Sequence, residues 1–129
     1  MTNDNSKTIK ELTGDMNAFV KAMGWYRPDS EFEQSPRNIA ISISLEAAEI
    51  LEHFQWGENA DAEALAEELA DVALYLLQLA YLMDLDLSEA IKDKLERNYR
   101  RFGRSRLDPI EPVGQTRATS GPDTERKRE

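Results

Sequence analysis

The sequence predicts an all-α protein, a four-helix bundle, and three observations carry that expectation. Apolar residues recur at three- and four-residue steps through most of the chain. Residues that start and stop helices punctuate those stretches at helical lengths. Strand signals are nearly absent. The one alternation, Ile39, Ile41, Ile43 and Leu45, follows a helix cap and runs on into Glu46, Ala47, Ala48 and Glu49, so it reads as helix.

The elements follow in order. Ile9, Leu12, Met16, Phe19, Val20 and Met23 share one face of a first helix over Thr8 to Met23. Gly24 can close it as a C-terminal cap. Trp25 to Gln34 reads as a loop, with Pro28, Asp29 and Ser30 as turn residues. Ser35 and Pro36 pair an N-cap with a proline at the first helical position, so a second helix starts there. It is expected to run to about Trp56 and stop at Gly57. Asp61 caps a third helix of about Ala62 to Met83. Asp86 and Glu89 have capping-box spacing, which places a fourth helix from about Leu87 to before Gly103. Prolines and glycines among polar residues mark Asp108 to Glu129 as a disordered tail, leaving 1–107 as one helical domain.

Bulk properties narrow the function. The 129 residues suit one domain with a modest core, or a protomer that leaves an apolar face for a second copy. Hydrophobic residues make up 40% of the chain, a globular value. The net charge of −9 argues against nucleic-acid polymers, whose phosphates require clustered Lys and Arg. A free nucleotide, arriving with its cation, needs only a local basic patch. The absence of cysteine removes disulfides, thiolate metal sites and cysteine nucleophiles. With one histidine, any metal site must rely on oxygen. The polar Met1 to Lys10 lacks a signal-peptide core, and Val72 to Met83 is too short to span a bilayer, so no membrane role and a cytoplasmic location are expected.

Four carboxylates conflict with the helical pattern. Ile39, Ile43, Glu46 and Ile50 lie close to one line of the second helix, so Glu46 sits in the apolar stripe. Glu49 is one turn on. The third helix repeats the spacing with Glu68 and Asp71, and Asp71 opens the run Val72 to Leu77. A carboxylate facing a core costs several kcal/mol unless it is neutralised or paired. Glu-x-x-Glu pairs are common on solvated helix faces, but two such pairs, each touching an apolar stripe, favour a divalent cation held between the helices. Oxygen-only ligation suits Mg2+ or Mn2+. Glu63, Glu67, Asp93 and Glu96 read as ordinary surface charge.

The fourth helix brings Lys94, Asn98 and Arg101 to one face at steps of four and three. That face can grip phosphate oxygens. It can equally be a solvated basic surface near a helix C-terminus. Trp25, Tyr26, Trp56 and Tyr75 are the aromatics suited to stacking on a base, and Trp56 and Tyr75 stand closest to the acids in sequence. His53, one turn after Glu49, reads as a surface or packing residue.

These residues together resemble a known family. Glu46-x-x-Glu49, Phe54, Gln55, Trp56, and Glu68-x-x-Asp71 followed by Val72 look like the MazG-like all-α nucleoside triphosphate pyrophosphohydrolases. Tyr75, Lys94, Asn98, Arg101, Phe102 and the stretch Ser35 to Asn38 are most similar to the dCTP pyrophosphatase branch. The resemblance covers residues 10 to 105. It implies that Glu46, Glu49, Glu68 and Asp71 bind magnesium, that Trp56 and Tyr75 help form a base pocket, and that Lys94, Asn98 and Arg101 contact the nucleotide. It also implies homo-oligomers, commonly dimers or tetramers. In one departure, some members carry a histidine just before the second helix where this chain has Gln34.

The expected reaction is cleavage of a nucleoside triphosphate, dCTP or a related pyrimidine, to monophosphate and pyrophosphate, in nucleotide-pool sanitation. Glu52 is a candidate acceptor for the proton of the attacking water. Two other classes compete. A di-iron bundle needs Glu-x-x-His motifs on two helices, and here Ile50 stands three residues before the single histidine. A non-catalytic metal-binding or adaptor bundle keeps the acids without turnover.

Overall fold

In a computed structural model that describes residues 5–103, the chain forms four α-helices in the order expected. They are α1 (Ile9–Ala22), α2 (Pro36–Glu52), α3 (Ala62–Leu82) and α4 (Leu87–Arg101). No strand occurs among the described residues. The tail expected over Asp108 to Glu129, and the domain boundary before it, lie outside them.

Local chemistry sets most helix ends. Thr8 caps α1: its hydroxyl accepts from the Glu11 N–H while the Glu11 side chain reaches back, a complete capping box. At the far end Gly24 takes φ 74°, with Gly24 N–H bonded to Lys21 O and Trp25 N–H to Val20 O. This is a Schellman closure, and glycine adopts it without a Cβ penalty. Ser35 accepts from Asn38 N–H at 3.2 Å to open α2. Asp61 accepts from Glu63 N–H, and Asp86 from Glu89 N–H at 3.0 Å. Between α3 and α4 the left-handed position falls to Asp84, φ 54°, a residue that tolerates it better than most.

One boundary differs from expectation. α2 ends at Glu52, not at Trp56. Its last residues tighten to three-residue steps, with His53 N–H to Ile50 O, Phe54 N–H to Leu51 O and Gln55 N–H to Glu52 O. The apolar pattern runs on through Phe54 and Trp56, but the backbone has already left the α-helical ladder.

The chain divides into two compact units, Met1–Leu95 and Glu96–Glu129. In the first, α3 packs against both α1 and α2. Met16 and Val20 of α1 meet Leu77 of α3, with Trp25, Tyr26 and Leu87 against them. Ile39 is 2% exposed on α2. The fully buried set is small, and many large apolar side chains, among them Leu45, Leu51 and Leu69, are open to solvent. No described helix is long and apolar enough to cross a membrane. In the second unit, the Arg101 guanidinium lies 5.4 Å from the centre of the Phe102 ring.

Candidate active site

The α2–α3 hairpin places the acids together. Carboxylate oxygens of Glu46, Glu68 and Asp71 all lie within 4.8 Å of one another. Glu49 stands beside both Glu46 and Glu68, close enough to perturb each. The spacing explains this: pairs three residues apart project side by side, and two helices packed antiparallel bring one pair against the other. Glu52, at the end of α2, is exposed.

The cluster is electrostatically frustrated. Burial, the adjacent Glu49 carboxylate, and the charges of Asp71 and Glu68 push Glu46 up to about 7. Hydrogen bonding with Glu49 in the protonated form, then burial, raise Glu68 above its ordinary value, and His53 partly opposes that. Glu46 Oε2 and Glu68 Oε2 are buried and have no hydrogen-bond partner. An all-oxygen donor set with two unpartnered buried oxygens fits a hard divalent cation. Glu46, Glu68 and Asp71 can hold it, with Glu49 alongside. His53, whose place in the sequence suggests a surface or packing role, faces the cluster from the end of α2. Its Nε2 lies 3.6 Å from Glu68 Oε1.

Beside the acids lies a cavity of about 870 Å³. Asp71 and Tyr75 line it from α3, Asn38 and Ser42 from α2, Phe19 from α1, and Trp25, Phe32 and Gln34 from the loop. Thus α2 and α3 share the acids near the hairpin connection and the cavity at the other end. Trp25 is braced edge-on by Phe19, with centroids 5.6 Å apart, and by Phe32 at 6.2 Å. Tyr75, expected near the acids, is in the wall. Trp56 is not: it is 92% exposed in the turn after α2. Lys94 is exposed on α4. Asn98 and Arg101 belong to the second unit.

Gln34 and Gln78 line the cavity, and a chain of polar side chains runs from them to Tyr26 and Asn17, which do not line it. Gln78 is 2% exposed. Its Nε2 donates to Gln34 Oε1 at 2.7 Å and to Tyr26 Oη at 3.4 Å. The Tyr26 hydroxyl donates to Asn17 Oδ1 at 2.6 Å. Burial raises the Tyr26 pKa above its ordinary value, which keeps that hydroxyl a donor. Trp25, Tyr26, Tyr75 and the acids carry signals in the sequence; Asn17 and Gln78 carry none for a site, and the tertiary fold joins them to Tyr26 and Gln34.

An antiparallel helical hairpin with acids at one end and an aromatic cavity at the other defines a class of helical proteins able to hold a cation next to an organic ligand. The chain belongs to the MazG-like family, whose model matches residues 41–112. It is similar to a pyrophosphatase of Archaeoglobus fulgidus, whose crystal structure superposes with a TM-score of 0.62 at 33% identity, covering 81% of this chain and 100% of that one. It is also similar to dCTP pyrophosphatase 1 of rat and of human, 33% identical over 89 residues in each case, covering 60% of this chain and 52% of each relative. The chain therefore spans about half the length of those curated relatives.

Proposed function

We propose that this chain is a nucleoside triphosphate pyrophosphohydrolase that depends on a divalent cation, Mg2+ first and Mn2+ as a substitute. The observation that carries the reading is the cluster of Glu46, Glu68 and Asp71, with unpartnered buried oxygens on the two glutamates and Asp71 lining the cavity. Membership of a family whose relatives include pyrophosphatases supports the reaction type. The relatives named for dCTP support a pyrimidine deoxynucleotide as the first substrate to try.

In the proposed reaction, water attacks the α-phosphorus, the bridging P–O bond to the β-phosphate breaks, and monophosphate and pyrophosphate leave. A cation bound by the acids supplies charge neutralisation at the phosphates and lowers the pKa of water. Glu46, Glu49, Glu68 and Asp71 hold that charge at the hairpin connection. Tyr75 and Trp25 offer aromatic surface to a base, and the apolar wall excludes water from it. Lys94, Asn98 and Arg101 are proposed phosphate contacts on the strength of the family resemblance alone, as is Trp56 for the base. Glu52 is the proposed acceptor of the water's proton. A homo-oligomer is proposed because so much apolar surface is exposed, Leu45 at 64% and Leu51 at 72% among it. A cytoplasmic site of action is proposed with it.

The test is a panel of nucleoside triphosphates with Mg2+, products separated by chromatography, beside the double variant Glu49→Ala, Asp71→Ala. Monophosphate with equimolar pyrophosphate, lost in the variant, is the expected result. No turnover of any nucleotide overturns the reading and leaves a non-catalytic metal-binding or adaptor bundle.

A further inference from the structure

Gln78 is the buried polar side chain of the described core, and the acid cluster does not use it. On α3, Asp71, Tyr75 and Gln78 follow one another at steps of four and three, along one face. The rise from Asp71 to Gln78 is about 10 Å at 1.5 Å per residue. That is the scale of the span from the phosphates to the base of a nucleotide. Gln78 and Gln34 both line the cavity.

The hydrogen bonds between them have a forced direction. Gln34 Nε2 donates to the Phe32 carbonyl at 2.7 Å, and a carbonyl can only accept. Gln34 must therefore turn its oxygen the other way, to Gln78 Nε2. Gln78 donates on its other side to Tyr26, which donates in turn to Asn17. Reversing either amide would set oxygen against oxygen at hydrogen-bond distance. The amide of Gln34 is thus held in one orientation, with one N–H and one oxygen lone pair left over. An adjacent donor and acceptor on a planar amide match the edge of a nucleobase, as glutamine does in reading adenine.

We propose that Gln78 is a positioning residue for base recognition: it locks the Gln34 amide so that the cavity presents a fixed donor–acceptor edge to a nucleobase. With the phosphates pinned at the acids, a fixed edge separates bases carrying an exocyclic amine beside a ring acceptor from those carrying an exocyclic oxygen beside a ring N–H. The inference rests on the nucleotide reading above and goes beyond it by naming the discriminating contact and what orients it.

The experiment measures kcat and KM for dCTP against dUTP, and for dATP against dGTP, with the full chain and Mg2+. Wild type is compared with Gln34→Met, Gln78→Met and the double variant. Gln78→Met is expected to compress the preference within the discriminated pair by about fivefold to tenfold, the scale of one lost hydrogen bond, carried by KM rather than kcat. Gln34→Met should compress it as much, and the double variant no further, because Gln78 acts through Gln34. Should Gln78→Met not fold, Gln34→Met, at the less buried partner, carries the same expectation. In NMR spectra of labelled protein, the Gln34 side-chain hydrogen given to the Phe32 carbonyl should exchange with solvent more slowly than its free twin, and that difference should shrink in the Gln78 variant as the amide gains freedom to rotate. A wild-type preference near one in both pairs, or one unchanged in the variants, overturns the inference and leaves the reaction standing. Absence of turnover in wild type overturns both.

Discussion

The two ends of the α2–α3 hairpin treat polar groups in opposite ways. At the connection, four acids crowd together, two of their oxygens are buried without partners, and Glu46 is raised to about 7. At the other end, Gln78 is more deeply buried than any of them, yet both hydrogens of its Nε2 have acceptors, one close and one long. One end is unsatisfied until a positive charge arrives; the other is satisfied by the protein itself and can be rigid beforehand. Burial alone therefore does not identify a binding group. What distinguishes the acids is burial combined with missing partners.

The largest expected break in this contrast is in activity. Glu49→Ala with Asp71→Ala should lower pyrophosphate release by about a hundredfold to a thousandfold, the scale for removing a group that stabilises charge in the transition state. Gln78→Met should leave far more turnover than that. A steady-state assay on the preferred nucleotide compares them directly.

Stability should respond with opposite sign at the two ends. Gln78→Met strands the Gln34 oxygen and should cost about 1–3 kcal/mol. Glu46→Gln removes a repelled charge and should raise the stability of the cation-free chain. Urea unfolding in the presence of a chelator reads both.

The pH dependence sharpens the point. A carboxyl raised from an ordinary 4.5 to about 7 holds its proton more tightly folded than unfolded. Its contribution is fully present below about 4.5 and is lost as pH rises through about 7. The cation-free melting temperature should therefore fall between pH 5 and 8, through Glu46 and in the same direction through Glu68. Saturating Mg2+ should abolish the fall, and Glu46→Gln should flatten it. A cation-free melting temperature that rises across this range would contradict the cluster as described.

The smallest effect is expected just outside the acid end. Trp56 is almost wholly exposed, so Trp56→Ala should change stability by no more than about 0.5 kcal/mol. A larger loss would mean that a second copy covers this side chain.

What could be read from the sequence divides along the same line. Helix starts were legible because their chemistry is local: Ser35, Asp61 and Asp86 each bind a backbone N–H within three residues. The acids were legible because they violate the apolar period of their own helices. The end of α2 was not, since Phe54 and Trp56 continue the apolar pattern while the backbone tightens after Ile50. Gln78 was visible only as an interruption in the run Val72 to Met83. Its partners lie 44 and 52 residues away, so no spacing rule along one helix reaches them. His53 lay within sight of Glu49 on its own helix, but its contact is with Glu68 across the hairpin.

The carbonyl of Phe32 has a consequence of another kind. It sets the polarity of the chain of donors from Gln34 to Asn17, and it does so with a peptide group. Any amino acid at position 32 supplies the same oxygen, provided the loop keeps its path. A feature that orients selectivity is therefore written in backbone shape and not in residue identity. Relatives could differ at this position and read the same base, or agree in Gln34 and Gln78 and read another because the loop is one residue longer.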